Sequence, residues 1–172
     1  MQIAVDTREQ RPYTFEGYPA IAAPVKLTSG DYSLVGFEAD IAIERKAAGD
    51  LIGCLTGERE RFFRELERLR GYQAAALVVE APYSAIAGGE YRSKMNPGAA
   101  VQSLIAIMQR YRMPVFFAES REQGEFFTYH FLRHFCRLNW NKYRAMSMQK
   151  TVHDSAKDLM TPDYKEQRDG DE

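Results

Sequence analysis

Gly30-Asp31-Tyr32-Ser33-Leu34-Val35-Gly36, continuing through Glu38-Ala39-Asp40-Ile41-Ala42-Ile43-Glu44-Arg45-Lys46, is the stretch that decides the fold. Two short apolar runs flank Gly36, which predicts a hairpin with strands over Tyr32–Val35 and Glu38–Glu44. Side chains alternate faces along a strand, so Ile41, Ile43 and Arg45 point one way and Asp40, Ala42, Glu44 and Lys46 the other. Glu44 and Lys46 therefore share a face at a strand end, and Asp31 begins the strand paired with them. Upstream, Gln2–Val5 reads as a further strand that runs out into Asp6-Thr7-Arg8-Glu9, with Ala4 and Asp6 on one face. Three carboxylates (Asp6, Asp31 and Glu44) and one amine, Lys46, are thus expected at one edge of the sheet.

Working outward, Pro12 and Pro19 bracket a loop, since proline cannot donate to a ladder. Val25–Thr28 is expected as a strand stopped by Ser29-Gly30-Asp31. Beyond Lys46 the period changes. Phe62, Phe63, Leu66 and Leu69 recur at helical spacing within Gly57–Arg70, an amphipathic helix ended by Gly71. Ala74–Glu80 is a short apolar run of the kind buried in a parallel sheet. Pro82–Pro97 reads as a loop with at most one helical turn. Asn96 as cap and Pro97 at the first position open a helix to about Arg112. Pro114–Ala118 is another buried strand and Gln123–Leu138 an aromatic helix. Strands first, then alternating helices and strands, predict one α/β domain with a central mixed β-sheet flanked by α-helices on both faces. That domain is expected over residues 1–138, with 139–172 a polar, partly disordered extension ending in the frayed tail DYKEQRDGDE.

The composition narrows the classes. The chain has 172 residues, 45% hydrophobic and 27% charged, with 23 Lys and Arg against 24 Asp and Glu. Those proportions belong to an ordinary folded domain and exclude a disulfide scaffold or a disordered chain. A net charge of −1 excludes a protein that coats nucleic acid by charge alone. No run approaches the roughly 18 apolar residues of a membrane span, and the N-terminus has neither the basic nor the apolar region of a signal peptide. Cys54 and Cys136 stand apart and read as reduced packing residues, so the expected location is cytoplasmic, or nuclear in a eukaryote. His130 and His134 have a spacing that can chelate zinc, but no third ligand accompanies them, and they read as a helix-surface pair.

Acidic groups crowded at one sheet edge raise one another's pKa unless a cation joins them. Mg²⁺ or Mn²⁺ suits such a site, because hard cations take oxygen ligands and keep several waters. Such an ion polarises a phosphodiester, activates water and stabilises the leaving oxygen. Lys46 would orient the attacking water or neutralise charge building on phosphorus. This is a kit for hydrolysing a phosphodiester.

Gly30-Asp31, a gap, then Glu44-Arg45-Lys46 and Asp50 resembles the GD…ERK-x-x-x-D signature of the nuclease domain of XPF-family, structure-specific DNA endonucleases. The resemblance extends to Val5–Gln10 (VDTREQ), Arg61-Phe62 with Glu65, Leu77–Glu80 (LVVE), Asn96-Pro97, Ser103-Leu104 and Pro114–Phe117. It implies a restriction-endonuclease-like PD-(D/E)-x-K core, with Asp31, Glu44 and Asp6 as metal ligands and Lys46 as the catalytic lysine. Arg45, Arg8 and Glu9 would line the same site, the Arg45 carbonyl would complete the metal shell, and Asp50 would support it. Residues 139–172 lack the paired glycines of the helix-hairpin-helix module found in well-known members, which suggests a compact, single-domain, bacterial or phage-like relative.

Arg61, Arg64 and Arg68 form a stripe on the 57–70 helix, and Arg92 and Lys94 lie in a loop; these are the candidate contacts to DNA phosphates. The expected function is a Mg²⁺- or Mn²⁺-dependent DNA endonuclease acting on branched, flapped or distorted duplex, as a homodimer or paired with another subunit and without a membrane. Two alternatives remain: a catalytically idle DNA-binding or scaffold subunit, and a nonspecific or exonucleolytic member of the same superfamily. Acid at the proposed site and in the tail (Asp158, Asp163, Glu166, Asp169, Asp171, Glu172), offset by arginines elsewhere, accounts for the neutral total.

Overall fold

A computed structural model describes residues 1–160 of the chain. Six strands form one mixed sheet in the order β2-β1-β3-β4-β5-β6. They are β1 (Gln2–Asp6), β2 (Ile21–Val25), β3 (Tyr32–Leu34), β4 (Ile41–Ala47), β5 (Ala74–Glu80) and β6 (Val115–Phe117). β3 pairs antiparallel with both β1 and β4, whereas β2 runs parallel to β1, and β4, β5 and β6 are parallel to one another. The helices are α1 (Ala48–Leu55), α2 (Arg59–Arg70), α3 (Tyr83–Gly88), α4 (Pro97–Tyr111) and α5 (Arg121–Met160). The chain divides into two compact units, Met1–Phe135 and a second that begins at Cys136.

The antiparallel pairing of β3 with β4 is as predicted, with Gly36 at φ +88° in the connection. One face of the sheet, through Ala42, Leu77 and Val79, packs against Leu51 and Ile52 of α1, Phe62, Leu66 and Leu69 of α2, and Leu104 and Ile107 of α4. The opposite face carries the Tyr13–Phe15–Tyr32 aromatic cluster and the first turns of α5. There a side chain at Gly124 would collide with the Tyr13 hydroxyl, so glycine lets α5 approach the sheet closely.

Three elements depart from expectation. β2 lies at Ile21–Val25, not Val25–Thr28. It contains Pro24, and a proline is tolerated because β2 is an edge strand with one side unpaired. α1 was not foreseen: its eight residues follow β4 directly and are helical because Leu51, Ile52, Cys54 and Leu55 bury one face. α5 continues past the expected end at Leu138 to Met160, so part of the expected polar extension is helical. The acidic end DYKEQRDGDE (163–172) lies outside the described residues. Among the described residues, no helix is long and apolar enough to cross a membrane.

Candidate active site

The Ser29-Gly30-Asp31 turn docks against β4 at very short range. Gly30 has φ +81°, a region L side chains rarely adopt, and a Cβ there would stand 2.8 Å from the Ala42 Cβ. Only glycine permits this approach. It lets the Asp31 N–H donate to the Ile43 carbonyl at 2.8 Å, while the Arg45 N–H donates to the Asp31 carboxylate at 2.7 Å. Asp31 is thereby fixed beside Glu44, whose side chain is 2% exposed and forms an ion pair with the Lys46 ammonium.

The charges do not balance. Glu44 is held well above the ordinary carboxylate range, first by burial and then by the neighbouring negative charge of Asp31, with Lys46 opposing. Burial likewise raises Asp31, and Lys46 opposes it. Burial alone would lower Lys46, but Glu44 and Asp31 together raise it, so it stays an ammonium. Two carboxylates thus share one lysine in a poorly solvated place. A hard divalent cation, which binds through one or two carboxylates and keeps waters for the rest of its shell, suits this donor pair. Among the described residues, no three His, Cys, Asp or Glu side chains gather as a group that could hold a metal ion. The adjoining cleft, about 480 Å³, is lined by Arg8, Glu9, Arg11, Asp31, Lys46, Asp50 and Arg61 among others.

Arg8, Glu9 and Arg45 also line this cleft, whereas Asp6 does not. Asp6, expected as a third metal ligand, commits both oxygens elsewhere. They accept from the Arg8 side chain at 2.8 Å, from the Arg8 N–H and from the Leu27 N–H at 2.9 Å. The Arg8 side chain is the main reason its carboxyl stays below the usual range. Arg45 projects from the opposite face of β4, where its guanidinium bridges Glu9 and Glu80, each at 2.8 Å. Burial opposes ionisation of Glu9, yet Arg45 and the Arg11 N–H hold it below the ordinary range. Glu80 also accepts from the Tyr13 hydroxyl at 2.8 Å and lies 3.5 Å from Arg121, which clasps the Arg11 and Pro12 carbonyls.

A family model, described as the ERCC4 domain, matches residues 5–131, most of the first unit. The chain belongs to the ERCC4-domain family. Solved structures of one such relative share the fold. XPF from Aeropyrum pernix superposes with a TM-score of 0.63 at 22% identity, covering 77% of this chain and 60% of that one. The same protein in complex with DNA gives 0.63 at 24%, covering 79% of this chain and 65% of that one. This ERCC4-domain chain therefore spans less than two thirds of the length of those relatives. The likeness establishes the expected restriction-endonuclease-like α/β fold. No curated protein matches the chain.

Within the ERCC4 domain, the structure brings Asp31, Glu44 and Lys46 together, with Asp50 exposed in the first turn of α1 at the cleft rim. Of the arginine stripe, Arg61 lines the cleft, Arg64 pairs with Glu60 on the surface, and Arg68 turns inward to Ser29. Arg92 and Lys94 lie in the exposed connection between α3 and α4 and do not line the cleft. The sequence names Glu65 and Glu80 only as part of the resemblance, with no role, and gives no notice of Arg121; Glu65 accepts from the Gly30 N–H, and Glu80 and Arg121 stand behind Arg45. Glu80 did leave a signal, since a carboxylate closing the apolar run Ala74–Glu80 needs a partner if the strand is buried. Of the pair read as lying on the helix surface, His134 is exposed and His130 is partly covered by Phe126 and Tyr129.

Proposed function

We propose that the protein is a Mg²⁺- or Mn²⁺-dependent DNA endonuclease that hydrolyses phosphodiester bonds at branched, flapped or otherwise distorted duplex. One observation carries the reading: Asp31 and Glu44 are crowded against a single lysine beside an open cleft, a charge surplus that a divalent cation would relieve. Asp31, Glu44 and the Arg45 carbonyl would hold the ion. When bound, it supplies Lewis-acid activation of water and of the scissile phosphate.

The chain's own groups supply the rest. Lys46, kept charged by Glu44 and Asp31, orients the water and offsets negative charge developing on phosphorus. Arg8 is 64% exposed at its side chain yet anchored through Asp6, so it can offer its remaining N–H groups to a backbone phosphate at little entropic cost. Arg61, at the same cleft, provides a second phosphate contact. A related fold recorded in complex with DNA supports the substrate class. Pairing as a homodimer or with another subunit belongs to the same proposal and is tested by the protein's mass in solution.

The test is a panel of linear, nicked, flapped and four-way DNAs of one sequence, incubated with Mg²⁺, Mn²⁺ or EDTA. The reading predicts internal cuts on flapped or branched substrates and none in EDTA. Degradation from ends would make the protein an exonuclease. Tight metal-independent binding with no cut would make it an idle DNA-binding subunit.

A further inference from the structure

We propose that Glu65 and Arg68 of α2 are positioning residues that hold the Ser29-Gly30-Asp31 turn in the pose from which Asp31 meets a divalent cation. The inference rests on the reading of Asp31 as a metal ligand. It names the machinery that keeps this ligand in place.

The turn lies between β2 and β3, outside the regular ladder, and its backbone is unusual at Gly30. Its two hydrogen bonds with β4 and one with β1 all involve Asp31: its N–H to Ile43, its carboxylate from the Arg45 N–H, and its carbonyl from the Asp6 N–H at 2.9 Å. The two residues before it are held from elsewhere. The Gly30 N–H donates to Glu65 Oε1 at 3.3 Å, and Arg68 Nε donates to the buried Ser29 hydroxyl at 2.8 Å. Glu65 and Arg68 are three apart on one side of α2, and the neighbouring Phe62, Leu66 and Leu69 anchor that helix in the core. A ligand-bearing turn is thereby tied to a rigid element, the condition under which a site keeps its geometry.

The arrangement also explains why Arg68 departs from the DNA-facing stripe read from the sequence. Its Nε is spent on Ser29, whereas Arg61 on the same helix reaches the cleft. Hydrogen-bond partners of metal ligands commonly govern metal affinity about 10–100-fold. Glu65 acts one step further back and through a long bond, so its effect is expected near the bottom of that range.

Calorimetric titration of Mn²⁺ alone into the full chain tests the proposal, alongside thermal melts in EDTA. Glu65→Ala should weaken Mn²⁺ binding about tenfold. Glu65→Gln keeps an oxygen for the Gly30 N–H and should restore affinity to within about twofold. Arg68→Ala and Ser29→Ala should each weaken binding, and the double variant no more than either alone, because both remove the same bond. If Glu65→Ala melts earlier but binds Mn²⁺ unchanged, its role is structural and the proposal is overturned. If Glu65→Gln is as weak as Glu65→Ala, charge rather than the hydrogen bond matters, and the proposal is equally overturned. Asp31→Asn is the control: binding as tight as the unsubstituted protein would sink the metal reading itself, whatever Glu65 does.

Discussion

Glu44, Arg45 and Lys46 are consecutive on β4, yet the two faces they occupy manage charge in opposite ways. On the Arg45 face, Glu9 and Glu80 meet the guanidiniums of Arg45 and Arg121, and the Tyr13 hydroxyl donates to the same Glu80. Charges there cancel, and Glu9 is stabilised as an ion despite burial. On the Lys46 face, Asp31 and Glu44 contend for one ammonium, and both carboxyls are driven above their ordinary range. One strand thus shows what a structural ion network looks like and, one residue away, what an unfinished one looks like. The imbalance, not the mere presence of acidic residues, marks the second face as the place for chemistry.

The comparison breaks most visibly through Lys46. Lys46→Ala should reduce cleavage by at least about 100-fold, as loss of one preorganised group at a developing charge does. A native circular dichroism spectrum at the assay temperature must accompany that loss. A rate within a few-fold of the unsubstituted protein would place the chemistry elsewhere.

Arg45 should fail in the other currency. Arg45→Met takes from Glu9 its ion-pair partner in a largely buried place and leaves Glu80 only Tyr13 and Arg121, which costs about 3 kcal/mol of stability. Denaturant unfolding reads this directly. A loss below about 1 kcal/mol would show that the network does not hold the sheet together.

A smaller effect, opposite in sign, is expected at Glu44. Its folded-state pKa lies above the ordinary 4.5, so the charged form opposes folding. Stability of the metal-free protein should fall as pH rises from about 4.5 through the raised value, where the folded state gives up a proton reluctantly. Glu44→Gln removes this penalty and should gain on the order of 1 kcal/mol at pH 8, with no gain near pH 4. Melts across that range in EDTA are the check, and a variant less stable at pH 8 would contradict the imbalance. A residue the activity requires is therefore one whose neutralisation stabilises the metal-free fold.

The sequence disclosed the centre of the site more fully than its supports. Period-two alternation in Ile41–Lys46 placed Glu44 and Lys46 together, and the Gly30-Asp31 turn supplied the third group, because strand geometry leaves little freedom over so short a distance. The mixed sheet and the helices at Gly57–Arg70 and Asn96–Arg112 were legible from periodicity for the same reason. What escaped depends on contacts between distant segments. Asp6 lay on the expected strand end, but Arg8 two residues later and Leu27 beyond the loop capture its oxygens. Arg45 carried a motif position that said nothing of its partners, Glu9 and Glu80, 36 and 35 residues away. α1 hid because eight residues hold barely two helical turns, and β2 because a strand containing Pro24 needs the edge position that only the assembled sheet supplies.

The most direct measurement is cleavage of one flapped duplex by the unsubstituted protein, Asp31→Asn and Glu44→Gln across a titration of Mg²⁺ and of Mn²⁺, with DNA binding measured in parallel. The account predicts cutting that requires the metal, is at least about 100-fold slower in both variants, and leaves DNA affinity little changed. Cutting that persists in EDTA, or a variant that keeps the full rate, would contradict it.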